Sequence, residues 1–535
     1  MKKLLLTILI TAALCGSRAA AQEPEHHHHP EAEKLGSVNF PVSCVPGVQN
    51  EFTRAVALLY SFEYEESQQA FVDVAKKDPN CAMAYWGQAM SLYHQLWDRP
   101  KKENLQRGAE LMAKAGKLKS TPREHDYTAA LTIFYSDTDK VDHTQRAKAY
   151  SKAMQGVSQR NPDDREAAVF YALSLLASGS ENDPNQTAAK AAVVILNKLF
   201  EEEPTHPGIA HYIIHSCDNP QMASLALPAA RKYASIAPAS AHAVHMPSHI
   251  FARLGLWQDS IQSNVSAIQI AEKMADMKFH VLHHKMHSMD FLEYAYLQIG
   301  DDANAKAQVD ALLAIRKAEV DPDFEDYYET HRASFPAVYA IERRQWKEAM
   351  QLQPEKDAVP SAQAITFWAR AVGAGHLRDA TAARDALKQF DELVEATRKG
   401  PKPYVAEYLK NDRDEAQAWA DYASGKSDEA LKWMRSVADT QDKVGKGETD
   451  LPAREMLADM LMELQRPMEA LAEYEVALHT DPNRFNGLYG AAQAAGQAQQ
   501  KEKAAAYYAQ LVKNCDGTHS DRTELGQAKT LLALR

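Results

Sequence analysis

Two stretches at opposite ends of this 535-residue chain carry one spacing pattern, and it restricts the fold more than any other feature. In the run SFEYEESQQAFVDVAKKDPNCAMAYWGQAMSLY and just before it, Ala55, Ser67, Phe71 and Val74 stand at fixed distances ahead of Pro79. Ala458, Ala470, Tyr474 and Ala477 stand at the same distances ahead of Pro482. Residues 485–518 continue in register with Ala492, Ala504 and Tyr508. A period of about 34 residues, with small residues where helices cross, describes a helix–turn–helix unit. One unit cannot bury its apolar face alone, so the pattern requires a stack of neighbours. Gly375–Ala380 and Gly425–Ala430 read as further turns into a second helix, and weaker copies run over 122–162, 164–204, 207–240, 241–274, 275–315 and 324–355.

Over residues ~48–525 the chain resembles the tetratricopeptide repeat (TPR) superfamily. The order of CAMAYWG and HMPSHIFARLGLW is also similar to large, uncharacterised exported bacterial TPR proteins. The resemblance implies an all-α fold, a right-handed superhelical solenoid of about twelve repeats, and a binding role. The expected organisation is a signal peptide over 1–21, a flexible histidine-containing leader over 22–47, N-terminal repeats over 48–204, histidine-rich central repeats over 205–355 and C-terminal repeats over 356–525. Asp442–Asp450, rich in Lys, Gly and Asp, reads as a softer loop joint.

The central repeats carry the candidate chemistry. Residues 206–287 hold ten of the 21 histidines. Within each cluster they recur three or four residues apart, which puts side chains on one helix face. Position one of the repeat falls at Pro207, and the turns at Gly255 and Gly300 and Trp346 fix the next three repeats. His211, His215, His242, His245, His249, His287, Asp290, Tyr294 and His331 then occupy positions 2, 5 and 9 of four successive first helices. In the TPR family this face turns to the concave groove and touches ligands, so the resemblance implies a histidine-lined groove. His280, His283 and His284 precede position one and are the weakest members. His211, His215, His245, His249 and His287 are the metal-ligand candidates. Pairs at i, i+4 suit one ion, and all-imidazole donors suit zinc, copper or nickel.

Lys2 and Lys3, the apolar run Leu4–Leu14 and Ala19-Ala20-Ala21 read as a secretory signal, so the chain is expected to be exported, periplasmic or secreted. No later apolar run is long enough to span a membrane. The net charge is −12, and loss of Lys2, Lys3 and Arg18 with the signal makes it more negative. That balance argues against nucleic acid as a partner. Cys44 precedes the first repeat and Cys81 opens the second, which makes them the disulfide candidates in an oxidising compartment. His26–His29 could collect metal. No G-x-x-x-x-G-K-[ST], G-x-S-x-G or H-E-x-x-H motif is present. The expected function is a non-enzymatic scaffold that takes a protein, peptide or small ligand in its groove, with a histidine-bound transition metal at the centre. The alternative is a metal-dependent hydrolase or oxidase built on the same groove, with Asp290 as general base.

Overall fold

The computed structural model describes residues 34–96, 99–180, 183–276 and 282–534. The signal segment, His26–His29 and His280 lie outside the described residues. The protein is all-α, and consecutive helices pack as neighbouring pairs along the chain. Among the described residues there is no strand, and no helix is long and apolar enough to cross a membrane.

The turn between the two helices of a pair is built one way in eight places. Phe62, Gly255, Gly300, Arg344, Arg378, Gly425, Gln465 and Gln499 all sit in the left-handed region, with φ between 54° and 78°. Each follows the last turn of a first helix. A left-handed residue there redirects the chain, and glycine adopts it without the ~1–2 kcal/mol that a Cβ costs. Five of the eight accept that cost, so packing rather than local preference holds those turns. At Gly255 a side chain is also excluded by space, since a Cβ would lie 2.3 Å from the Pro482 carbonyl oxygen.

Helix crossings follow the small-residue positions. Gly87 lies against the Phe71 ring and Gly490 against the Tyr474 ring, the same contact in two repeats. Ala55, Ala84, Ala458 and Ala492 are fully buried. Interdigitated packing of this kind tolerates no added methyl group without displacement.

Two segments depart from the sequence-based reading. The leader was expected to be flexible, but from residue 34 it packs. Phe40 is 1% exposed and lies among Phe52, Trp86 and Tyr127. The Ser37 N–H donates to the Thr205 carbonyl at 3.0 Å, and the Asn39 N–H donates to Glu166 Oε1 at 3.1 Å. Phe40 and the buried acceptor Glu166 give this stretch contacts that its polar composition conceals. A disulfide joins Cys44 to Cys81 and fastens the end of the same segment to the second repeat.

The second departure is the segment 445–452, which is no free joint. The C-terminal repeats return onto the central ones. Trp257 Nε1 donates to the Asn483 carbonyl at 2.8 Å, and Asn483 Nδ2 donates to the Gly255 carbonyl at 3.1 Å. Arg484, 1% exposed, donates to Glu342 Oε1 at 2.7 Å and Glu455 Oε2 at 3.0 Å. Arg522 pairs with Asp302 at 2.6 Å. These contacts lay 445–450 across the histidine face.

Candidate metal centre

The histidines reach one place because five helices present them. His211 and His215 stand on Pro207–Ser216, whose first turn is capped by the His206 ring. His242 and His245 stand on Ala241–His245, capped by Ser240, and His249 stands on the next segment, Pro247–Arg253. His287 and Asp290 lie on Leu282–Gln298, and His331 on Glu325–Glu342. Among the described residues four groups have donor atoms all within 4.8 Å of one another: His211/His215/His242, His245/His249/His287, His287/Asp290/His331 and Asp218/His249/Glu448. Tyr294 is not among them. Its hydroxyl donates to the Asp450 carbonyl at 3.2 Å, so it holds the covering segment.

Hydrogen bonds settle which nitrogen faces inward on His211, His331, His249 and His245. His211 Nδ1 lies 2.6 Å from the Tyr60 carbonyl oxygen, and His331 Nδ1 lies 2.8 Å from the Tyr327 carbonyl oxygen. A carbonyl only accepts, so both Nδ1 atoms carry the hydrogen. His249 Nδ1 faces Asp218 Oδ2 at 2.7 Å and Glu448 Oε1 at 2.8 Å, again acceptors. His245 Nδ1 lies 2.7 Å from Asn264 Oδ1. The Asn264 amide is oriented by its Nδ2, which donates to the Ser260 carbonyl at 2.8 Å. In neutral rings of this tautomer the lone pair sits on Nε2.

The Nε2 atoms converge. His245 Nε2 and His249 Nε2 are 3.0 Å apart. His211 Nε2 lies 3.0 Å from His215 Nε2 and 3.1 Å from His242 Nε2. Two Nδ1–H imidazoles cannot bond through facing Nε2 atoms while both are neutral, so the pair needs a cation between them, either the proton of a charged His249 or a metal ion that displaces it. A proton could serve two rings. A third ring makes the place three-cornered, and His287 provides it, with centroids 4.4 Å and 5.5 Å from His245 and His249. Nitrogens around a tetrahedral ion with bonds of about 2.0–2.1 Å are separated by roughly 3.3 Å.

The surroundings suit ligation. Burial drives His211 down to about 3 and His331 down to about 4, so both are neutral donors near pH 7. His215, His242, His245 and His287 are likewise held well below the usual range by burial and by neighbouring histidines. His249 is the exception. Burial alone would lower it, but Glu448 and Asp218 outweigh burial and lift it to about 10. Arg253, donating to Asp218 Oδ1 at 3.0 Å, balances that carboxylate pair. Burial also pushes Asp290 up to about 7, while Thr449 Oγ1 donates to it at 3.0 Å. A phenylalanine walls each triad: Phe62 is 4.4 Å from His211, and Phe291 is 4.7 Å from His249. Cys217, beside His215, is a buried thiol pushed up to about 12 by burial, a poor ligand beside the imidazoles.

The sequence implied an open groove, whereas His211, His242, His245, His249 and His331 are all 7% exposed or less and only His215, His287 and Asp290 of the candidate metal ligands and base are half-buried. Segment 445–450 covers the face. Asp218, Asn264 and Glu448, which orient the rings, went unrecognised in the sequence. Asp218 stands three residues after His215 and could have been flagged. Glu448 is 199 residues from His249, and no local signal connects them.

No family model and no curated protein matches the chain. Among solved structures, the human IFIT1 dimer with m7Gppp-AAAA aligns at a TM-score of 0.37 and 12% identity, covering 81% of this chain and 90% of that one. The IFIT1 dimer with PPP-AAAA aligns at 0.36 and 11%, covering 81% and 91%. A monomeric IFIT1 variant with Gppp-AAAA aligns at 0.36 and 14%, covering 85% and 95%.

Proposed function

We propose that this is an exported helical-repeat protein that binds a transition metal ion inside its central repeats, in a binding rather than a catalytic role. The observation that carries the reading is the convergence of Nε2 atoms at 3.0 Å on rings whose Nδ1 hydrogens are already engaged. His245, His249 and His287 are the principal ligands, and His211, His215 and His242 form a second three-nitrogen set. Carboxylate or carbonyl acceptors behind ligating histidines are the usual support of metal sites, because they fix the tautomer and raise basicity. An all-nitrogen set suits Zn²⁺, Cu²⁺ or Ni²⁺. The IFIT1 structures hold polyanionic ligands. Here the charge of −12 and the carboxylates of Asp218, Glu448 and Asp290 favour a cation. Export rests on the character of residues 1–21.

The test uses Co²⁺ as a spectroscopic stand-in for zinc. The full chain, with His26, His27, His28 and His29 replaced by serine, is purified without nickel resin, stripped and titrated. The expected result is saturable visible absorption from a low-symmetry, nitrogen-ligated site. Weak, octahedral, non-saturating spectra would remove the proposal.

A further inference from the structure

His211, His242, His245 and His249 are buried while His215 and His287 are half-buried, so an ion bound among the buried rings needs a route to them. A cleft of about 220 Å³ opens on the face formed by the first and second repeats, the start of Leu282–Gln298 and the segment near Tyr404. Its rim holds exposed charged side chains such as Arg99 and Lys101. Its walls are flat rings in stacked pairs: Tyr64 on His94 at 4.2 Å and His283 on Phe324 at 3.9 Å. Its floor is Glu63 and His284, which are 4% and 5% exposed.

That floor meets the histidine array. His284 Nε2 lies 3.4 Å from Glu63 Oε2, while Glu63 Oε1 accepts from Ser240 Oγ at 2.7 Å. On the inner side the His284 ring is 5.4 Å from His242, a member of the His211/His215/His242 triad. On the outer side it is 4.0 Å from His283 on the cleft wall. Imidazole, imidazole with carboxylate, then imidazole thus run from open cleft to buried triad in steps of one ring. Each station offers a donor that a soft divalent ion accepts. Exchange between adjacent donors avoids stranding a bare ion in an apolar interior, which would be very costly.

We infer that the cleft floor, Glu63 with His284 and His283, is a transfer site that receives the metal ion and passes it to His242. The inference rests on the triads being the ion's destination. It differs from a storage role because a station on the route changes rates in both directions and leaves the end state alone. Entry and exit over one barrier must change by the same factor when their equilibrium is untouched.

The experiment uses the full chain with His26–His29 replaced by serine, and Zn²⁺ as the probe. Uptake is followed by stopped flow, release by extraction into a strong chelator, and affinity by competition at equilibrium. His284→Leu and Glu63→Gln are compared with the parent. Glu63→Gln keeps an acceptor for Ser240 and decides the matter if His284→Leu folds poorly. The expected result is that uptake and release both slow by about tenfold or more, with Kd changed less than about threefold. Weaker affinity with unchanged uptake would overturn the inference, since it would make these residues supports of the final site. Unchanged rates would overturn it too. If the parent itself takes up no Zn²⁺, the metal-binding function fails first, and that outcome is read separately from the parent alone.

Discussion

Replacing His245 and His249 together by alanine is expected to abolish tight metal binding at the His245/His249/His287 triad. The pair provides two of three convergent nitrogens, 3.0 Å apart, and the only ring held by both Asp218 and Glu448. Loss of a supporting residue behind a ligand typically weakens binding 10–100-fold, so loss of two ligands is expected to exceed about 100-fold. The same change has a stability readout. An ion present at about 100 times Kd stabilises the folded state by about 2.7 kcal/mol, and the variant is expected to lose that increment in proportion to the ions it no longer holds. Equilibrium dialysis with metal analysis, and thermal unfolding with and without Zn²⁺, measure the two effects. His125→Ala, at an exposed position of the helix Pro122–Tyr135, is the control and should change neither. Equal metal content in parent and double variant would remove His245 and His249 from the site.

The second large effect is expected away from the imidazoles. Arg484→Met should destabilise the metal-free protein by about 3–5 kcal/mol, because it leaves two buried carboxylates without their cation. Arg484 is 1% exposed, Glu342 is also 1% exposed and Glu455 is 5% exposed. Arg484 also donates to the Tyr294 hydroxyl, which in turn donates to Asp450 in the covering segment. The guanidinium thus ties the returning C-terminal repeats to the central ones beside Asp450, where segment 445–450 ends. Urea unfolding measures the loss. Adding Glu342→Gln and Glu455→Gln to Arg484→Met should recover part of it, since removing an entire buried charge set is far less costly than orphaning one side of it. A change under about 1 kcal/mol for Arg484→Met would show that the two halves are not held through this network.

How much of this the sequence displayed depends on the range of the interaction. The repeat register was legible because small residues at helix crossings are a local requirement, met by Ala55, Gly87, Ala458 and Gly490. The shared face of His211, His245, His249 and His287 was legible for the same reason, since helical periodicity fixes which side a residue occupies. The left-handed turns at Phe62, Arg344, Arg378, Gln465 and Gln499 carry no glycine and could be placed only through the register. Covering of the groove was not legible. Lys, Gly and Asp in 442–450 identify a loop but say nothing about what it packs on. The contact of Glu448 with His249 exists only because the chain closes on itself. Glu63 and His284 were hidden for a similar reason: His284 lies before position one of its repeat, and its neighbours come from the first repeat and from His242.

The central claim is that the convergent nitrogens hold a metal ion, and diffraction from crystals of the Zn²⁺-loaded full chain, collected on both sides of the zinc absorption edge, addresses it most directly. The expected result is an anomalous peak bonded to Nε2 of His245, His249 and His287 at about 2.0–2.1 Å, with the Nδ1 atoms of His245 and His249 still on Asn264 and on Asp218 and Glu448. Crystals grown with Zn²⁺ that show the same imidazole arrangement and no anomalous peak among these rings would contradict it.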